Sequence, residues 1–234
     1  MSLDQANTWD QVLTEMVHAS IFPRHVNRML VWGTSHTGKT RLAHDLLKTE
    51  WVTTHQAQPI DDLIGGWTLR DGSTVWADGP AVRALRNGTI LQADEFDQFS
   101  MECKTAWYSL LGSPAGITLP TGERVEAAPG YGVVATMNPN PSILPEPIFN
   151  RFDVILRADT LSAGMKEALG PFAEHAVRCL SRNPVLEWSR PMTPSLLLAA
   201  AKLRRTNSVS DEAIAKTLGL VGSDATDFLA AIAE

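Results

Sequence analysis

Short apolar runs and helical repeats alternate along the first 158 residues. Val12, Leu13, Met16 and Val17 recur at helical spacing, which predicts a helix over Asp4–Ser20, broken at Phe22-Pro23-Arg24. Arg28–Trp32 is a short apolar run ending at Gly33 and reads as a buried strand. A helix over Arg41–Lys48 follows, then a strand over Glu50–Thr54 rich in β-branched and aromatic residues. Two segments read as hairpins: Trp67–Trp76, turning at Asp71-Gly72, and Ile117–Glu126, turning at Thr121-Gly122. Between them lie a helix over Pro80–Arg86, a third strand over Thr89–Ala93 and a helix over Met101–Leu111. A fourth strand over Gly132–Met137, a short helix over Pro145–Asn150 and a fifth strand over Asp153–Leu156 complete the series. This alternation predicts a mostly parallel α/β sheet flanked by helices.

After about Asp159 the strands stop. Met165–Leu180, Pro194–Arg205, Asp211–Leu218 and Asp224–Ala233 read as helices, with Ser210 and Ser223 as caps of the last two. The expected organisation is an α/β core over residues 1–158 and a small helical lid over 159–234. Composition adds only exclusions. Apolar content of 44% and charged content of 20% fit an ordinary globular chain. No window reads as a membrane span and the polar N-terminus lacks a signal-peptide pattern, so the expected location is the cytoplasm. A net charge of −6 leans against a surface that tracks nucleic acid. Cys103 and Cys179 have no CxxC partner and the histidines lack ligand spacing, which argues against a disulfide framework or a zinc site.

Candidate chemistry begins at Gly33-Thr34-Ser35-His36-Thr37-Gly38-Lys39-Thr40, which matches G-x-x-x-x-G-K-[ST] at every fixed position. It also lies between a strand and a helix. The glycines let successive backbone N–H groups turn toward phosphate oxygens, and the helix that follows, from Arg41 on, adds its N-terminal partial charge. Lys39 is expected on the β- and γ-phosphates and the Thr40 hydroxyl on Mg²⁺. Residues Gly33–Arg41 are therefore the expected nucleotide-binding set, with ATP and Mg²⁺ as cofactors.

The third strand runs straight into Asp94-Glu95. Two acids at the end of a buried strand are costly unless they hold something. Beside a phosphate loop, Asp94 is expected near the metal and Glu95 on the attacking water. Gln92 interrupts the otherwise apolar strand.

Taken in order, these segments resemble the AAA+ ATPases, and within them the MoxR-like branch with its helix-2 insertion. The resemblance covers about residues 27–158. It rests on Gly33–Thr40, Asp61-Asp62-Leu-Ile-Gly65, Asp78-Gly-Pro80, Leu91–Phe96, Leu119–Glu123, Val134–Pro139 and Phe149–Phe152. It implies a P-loop core, an ATPase activity and assembly as a homo-oligomeric ring, hexameric in type. It implies that Asn138 is the first sensor, where a neutral amide can bond phosphate and water without adding charge. It implies that Arg151 is an arginine finger, a planar cation reaching the nucleotide of the neighbouring subunit. The two hairpins resemble the family's helix-2 and pre-sensor inserts, which face pore or substrate.

MoxR-like relatives act as chaperones on partner complexes, commonly beside a protein with a von Willebrand A domain, so a protein partner is what the resemblance implies. A nucleic-acid motor of the McrB type, or an ATP-binding switch with little turnover, are the alternatives. One departure stands out. Relatives often start a lid helix with Pro-Arg, supplying a second sensor, whereas this chain reads Met192-Thr193-Pro194-Ser195. Arg190, Lys202, Arg204 and Arg205 do not fit that spacing.

Overall fold

The computed structural model describes residues 8–35, 37–47 and 49–170, with single positions 173, 198, 199, 201, 202, 210 and 213 beyond them. The chain divides into two compact units, residues 1–33 with 39–157, and residues 34–38 with 158–234. Most of each expected helix beyond residue 170, together with Cys179, Arg190, the 192–195 stretch, Arg204 and Arg205, lies outside the described residues, as does His36; at the expected cap Ser210, Oγ accepts the Ala213 N–H at 3.3 Å.

The first unit carries the sheet. Its elements are α1 (Trp9–His18), β1 (Arg28–Gly33), α2 (Lys39–Leu46), β2 (Thr49–Thr53), α3 (Ile60–Ile64), β3 (Gly65–Arg70), β4 (Ser73–Asp78), α4 (Pro80–Asn87) and β5 (Ile90–Asp94). Then follow α5 (Lys104–Leu110), β6 (Gly116–Thr118), β7 (Arg124–Glu126), β8 (Gly132–Met137), α6 (Glu146–Phe149) and β9 (Val154–Ala158). Five strands form one sheet in the order β2-β5-β8-β1-β9. β1 pairs with β8, β8 with β5 and β5 with β2, all in parallel. β8 is buried along its whole length and β5 along all but its last residue, as the two apolar runs require.

The core is built from both faces of these strands, with Leu30, Leu91, Val133, Ala135, Leu85, Phe96 and Trp107 among its residues. Phe96 sits at its centre, its ring 5.0 Å from Trp107, 5.3 Å from Phe99 and 5.7 Å from Phe152. Because Phe96 follows Glu95 directly, packing of the core fixes the place where β5 ends.

Both hairpins form. β3 and β4 pair antiparallel with Trp67 opposite Trp76. Asp71 and Gly72 both have positive φ (51° and 78°), the requirement of a two-residue turn of type I′. The rings of Trp67 and Trp76 meet edge to face at 5.7 Å. β6 and β7 pair around Gly122, whose N–H donates to the Leu119 carbonyl at 2.9 Å. Arg86 of α4 bridges the two hairpins: it bonds Asp78 at the end of β4 at 2.8 Å and Glu123 in the second hairpin at 2.6 Å.

Several elements differ from the sequence expectation: α2 runs over Lys39–Leu46 rather than Arg41–Lys48 and β9 over Val154–Ala158 rather than Asp153–Leu156. α3 was not expected, because five residues starting after Pro59 are too few to show a helical period. α5 begins at Lys104 rather than Met101, since Ser100 Oγ accepts the Cys103 N–H and holds residues 101–103 as turns.

In the second unit, α7 (Ala163–Leu169) is capped by Ser162, whose Oγ accepts the Met165 N–H at 3.3 Å. The Ser162 N–H donates to the Thr37 carbonyl at 2.9 Å. Among the described residues no helix is long and apolar enough to cross a membrane.

Candidate functional site

The carboxyl ends of β1, β5 and β8 bring Gly33, Lys39, Thr40, Asp94, Glu95 and Asn138 of the first unit together. Asp94 ends β5 and Met137 ends β8, with Ala93 paired to Ala135. That register sets Thr136 beside Asp94. Asp94 Oδ1 accepts from Thr40 Oγ1 at 2.7 Å and also from Thr136 Oγ1 in a short contact. Among the described residues no donor bonds Oδ2. A threonine hydroxyl and a carboxylate side by side are hard oxygen donors of the kind Mg²⁺ selects, so the residues fit that ion.

Lys39, the first residue of α2, is almost wholly buried. Its Nζ donates to the Gly33 carbonyl at 2.9 Å and to Asn138 Oδ1 at 3.1 Å. Asn138 is thereby oriented with its amide oxygen on Lys39. Burial pulls the Lys39 pKa down to about 8, against the opposing pull of the Asp94 charge. The consequence is measurable. A bound phosphate favours the ammonium form, so nucleotide binding raises this pKa and takes up a proton. Affinity for ATP should then be flat well below pH 8 and fall as the pH rises through it, with net proton uptake on binding at and above pH 8, as linkage requires. Titration calorimetry in buffers of different ionisation heat reads it, and binding with no proton uptake would contradict the assignment.

Glu95 is exposed and stands at φ 54°, ψ 43°, a left-handed conformation that costs a non-glycine residue about 1–2 kcal/mol. Thr54, fully buried just after β2, holds that bend. Its N–H donates to the Asp94 carbonyl at 2.9 Å, and its Oγ1 lies 3.2 Å from that carbonyl and 2.5 Å from the Glu95 carbonyl. Glu95 and Asn138 both line an open cavity of about 280 Å³, with Thr54, His55, Asp97 and Gln98. A water or phosphate in that cavity would have both residues on its walls.

Other expected residues stand apart from this cluster. Arg41 is well exposed and pairs with Asp45 one helical turn on, at 3.3 Å. Arg151 bonds none of the groups above. Its Cζ lies 5.1 Å from the centre of the Tyr108 ring and its Nη1 donates to the Pro147 carbonyl. In the second unit, Thr37 Oγ1 donates to the Thr34 carbonyl at 3.1 Å, with Thr34 exposed and Ser35 half-buried. Gly38 takes φ +97°, and a Cβ there would meet Ser162 Oγ at 2.4 Å. Only glycine fits that position.

Sequence reasoning missed Thr54, Thr136 and the use made of Gln92. Thr136 carried a faint signal, as the one hydroxyl in an otherwise apolar strand. Thr54 carried none, because its partners are backbone carbonyls 40 and 41 residues away.

The family model for the AAA domain of the dynein-related subfamily matches residues 28–152. The chain belongs to this family. It is a MoxR-like AAA+ domain with the α/β P-loop fold of nucleotide-binding ATPases, as the resemblance implied. Protein NorQ of Paracoccus denitrificans is 36% identical over 117 residues, covering 47% of this chain and 43% of NorQ. An uncharacterized protein of Staphylococcus epidermidis is 31% identical over 176 residues, covering 68% of this chain and 66% of that protein. One from Staphylococcus aureus is 32% identical over 141 residues, 54% of each. The chain thus spans between about two fifths and two thirds of the length of these curated relatives. The matched AAA region holds Lys39, Thr40, Asp94, Glu95, Asn138 and Arg151.

Proposed function

We propose that this AAA domain hydrolyses ATP as one subunit of a homo-oligomeric ring and uses the cycle to remodel or assemble a partner protein complex in the cytoplasm. The observation that carries the reading is the double tie at the start of α2: Lys39 to Asn138 and Thr40 to Asp94. It joins the residues that bind phosphate to the ends of the two strands that would sense and cut it. Lys39 would bind the β- and γ-phosphates through its ammonium. Thr40 and Asp94 would hold Mg²⁺, which when bound neutralises charge on the transferring phosphoryl group. Glu95 would orient the attacking water and accept its proton on the exposed carboxylate, while Asn138 bonds the γ-phosphate through its amide N–H. Arg151 would complete the site of the next copy.

Acidic net charge supports a protein rather than a nucleic-acid substrate. The test is affinity capture with the Glu95→Gln form in ATP and Mg²⁺, which should retain a specific protein released when ATP is withdrawn. Retention of nucleic acid without a protein partner would overturn the remodelling reading. Absence of Mg²⁺-dependent turnover by the unmodified protein would overturn the motor itself.

A further inference from the structure

Gln92 is the polar residue that interrupts β5, and it is fully buried. A primary amide in that position is costly unless its oxygen and nitrogen both find partners. Both do. Its Nε2 donates to the backbone carbonyl of Thr40 at 3.0 Å, and its Oε1 accepts from Thr49 Oγ1 at 3.2 Å. The Thr40 carbonyl can only accept, so the amide has one orientation, with the oxygen toward Thr49. Thr49 must then donate, and its lone pair faces His44 Nδ1 at 3.2 Å, which must carry the proton.

Gln92 and Asp94 are two residues apart on one strand and so share a face. That face grips Thr40 twice, Gln92 by the carbonyl and Asp94 by the hydroxyl, at 2.7 Å. An apolar side chain at position 92 would leave only the second grip. The hydroxyl is also the group that must turn from Asp94 to a cation. With one grip, that turn would leave Thr40 tied to β5 by neither side chain; with two, the carbonyl stays on Gln92 while the hydroxyl turns, and Lys39 keeps its own ties to Gly33 and Asn138.

We propose that Gln92 is a positioning residue for the Mg²⁺ site, holding the Thr40 backbone against β5 so that Thr40 and Asp94 present their oxygens at fixed separation, with Thr49 locking the amide orientation. The inference rests on the reading of Thr40 and Asp94 as cation-holding residues. It concerns metal affinity and leaves the nucleotide contacts of Lys39 alone.

The experiment measures binding of a fluorescent ADP analogue in EDTA and across a Mg²⁺ titration, for the parent, Gln92→Met, Thr49→Val and Thr49→Ser, together with the thermal midpoint of each free protein. Gln92→Met keeps the side-chain length and loses both bonds. It should leave ADP affinity in EDTA within about twofold and raise the Mg²⁺ concentration for half-saturation about tenfold, the value of one buried hydrogen bond. Thr49→Val should give a smaller rise of the same kind, about threefold, and Thr49→Ser should restore the parent value. If Gln92→Met does not fold, the Thr49 pair decides. A folded Gln92→Met, or a Thr49→Val, with the parent Mg²⁺ dependence overturns the proposal. A parent whose ADP affinity ignores Mg²⁺ overturns instead the cation reading of Thr40 and Asp94, and this proposal with it.

Discussion

Arg151→Ala is expected to lower ATP turnover by about 10³–10⁵, the range for removal of an arginine finger, while ATP affinity stays within a few-fold of the parent. The geometry explains the separation of the two effects. Lys39 bonds Asn138 and Thr40 bonds Asp94 without Arg151, so a chain lacking it keeps the groups proposed to bind phosphate. Arg151 is held elsewhere, over the face of Tyr108 and on the Pro147 carbonyl. Among the described residues it pairs with no carboxylate. The loop that carries it is pinned by Asp153, which takes the Arg28 guanidinium at 2.6 Å and the backbone N–H groups of Asn27 and Arg28 at 3.1 Å. A guanidinium set on an aromatic face, at a rigid corner, without an acidic partner is free to meet an anion from outside the chain. Mixing Arg151→Ala with Lys39→Ala subunits should restore part of the turnover, because each finger-less chain binds ATP and each Lys39→Ala chain still offers a finger. No recovery at any mixing ratio would count against a shared site. Tyr108→Leu should cost about tenfold and Tyr108→Phe little, since the ring face supplies the contact.

Much of this arrangement was legible in the sequence. The runs Arg28–Trp32, Thr89–Ala93 and Gly132–Met137 are buried strands where the apolar pattern placed them, because parallel strands covered on both faces leave little choice of residue. The Asp71-Gly72 turn was legible for a local reason, a demand for positive φ at two adjacent positions. What could not be read were contacts between elements. Nothing near Gln92 in the chain shows that the Thr40 carbonyl waits for it 52 residues away. Arg86 is simply the last residue of the helix expected over Pro80–Arg86, yet it spans Asp78 and Glu123 and so ties the two hairpins to one helix. Arg41 illustrates the converse. Its place after the phosphate loop made it a binding candidate, but its guanidinium lies on the exposed side of α2 with Asp45, because successive helical residues face different ways.

Glu95→Gln should lower the rate of the chemical step by about 10²–10⁴, the usual contribution of a positioned general base, with ATP affinity unchanged. The amide keeps the size and place of the carboxylate but cannot accept the proton of the attacking water. Two features of the structure set the size of the effect. The first is position: Glu95 lines the same cavity as Asn138, the residue expected to bond the γ-phosphate. The second is rigidity. The chain adopts a left-handed backbone at a residue with a side chain, and it is kept there by Thr54 on one side and by Phe96 in the aromatic core on the other. The strain of about 1–2 kcal/mol is thus offset by contacts that do not involve the carboxylate. A second substitution separates placement from chemistry. Thr54→Val removes the hydroxyl that holds the Glu95 carbonyl while leaving the carboxylate itself intact. It should slow the step about tenfold, and Thr54→Ser should recover it. Single-turnover measurements at saturating ATP distinguish these outcomes from defects in binding or product release. Normal turnover in Glu95→Gln would remove this residue from the mechanism. An unchanged rate in Thr54→Val would instead show that the left-handed bend is held without Thr54.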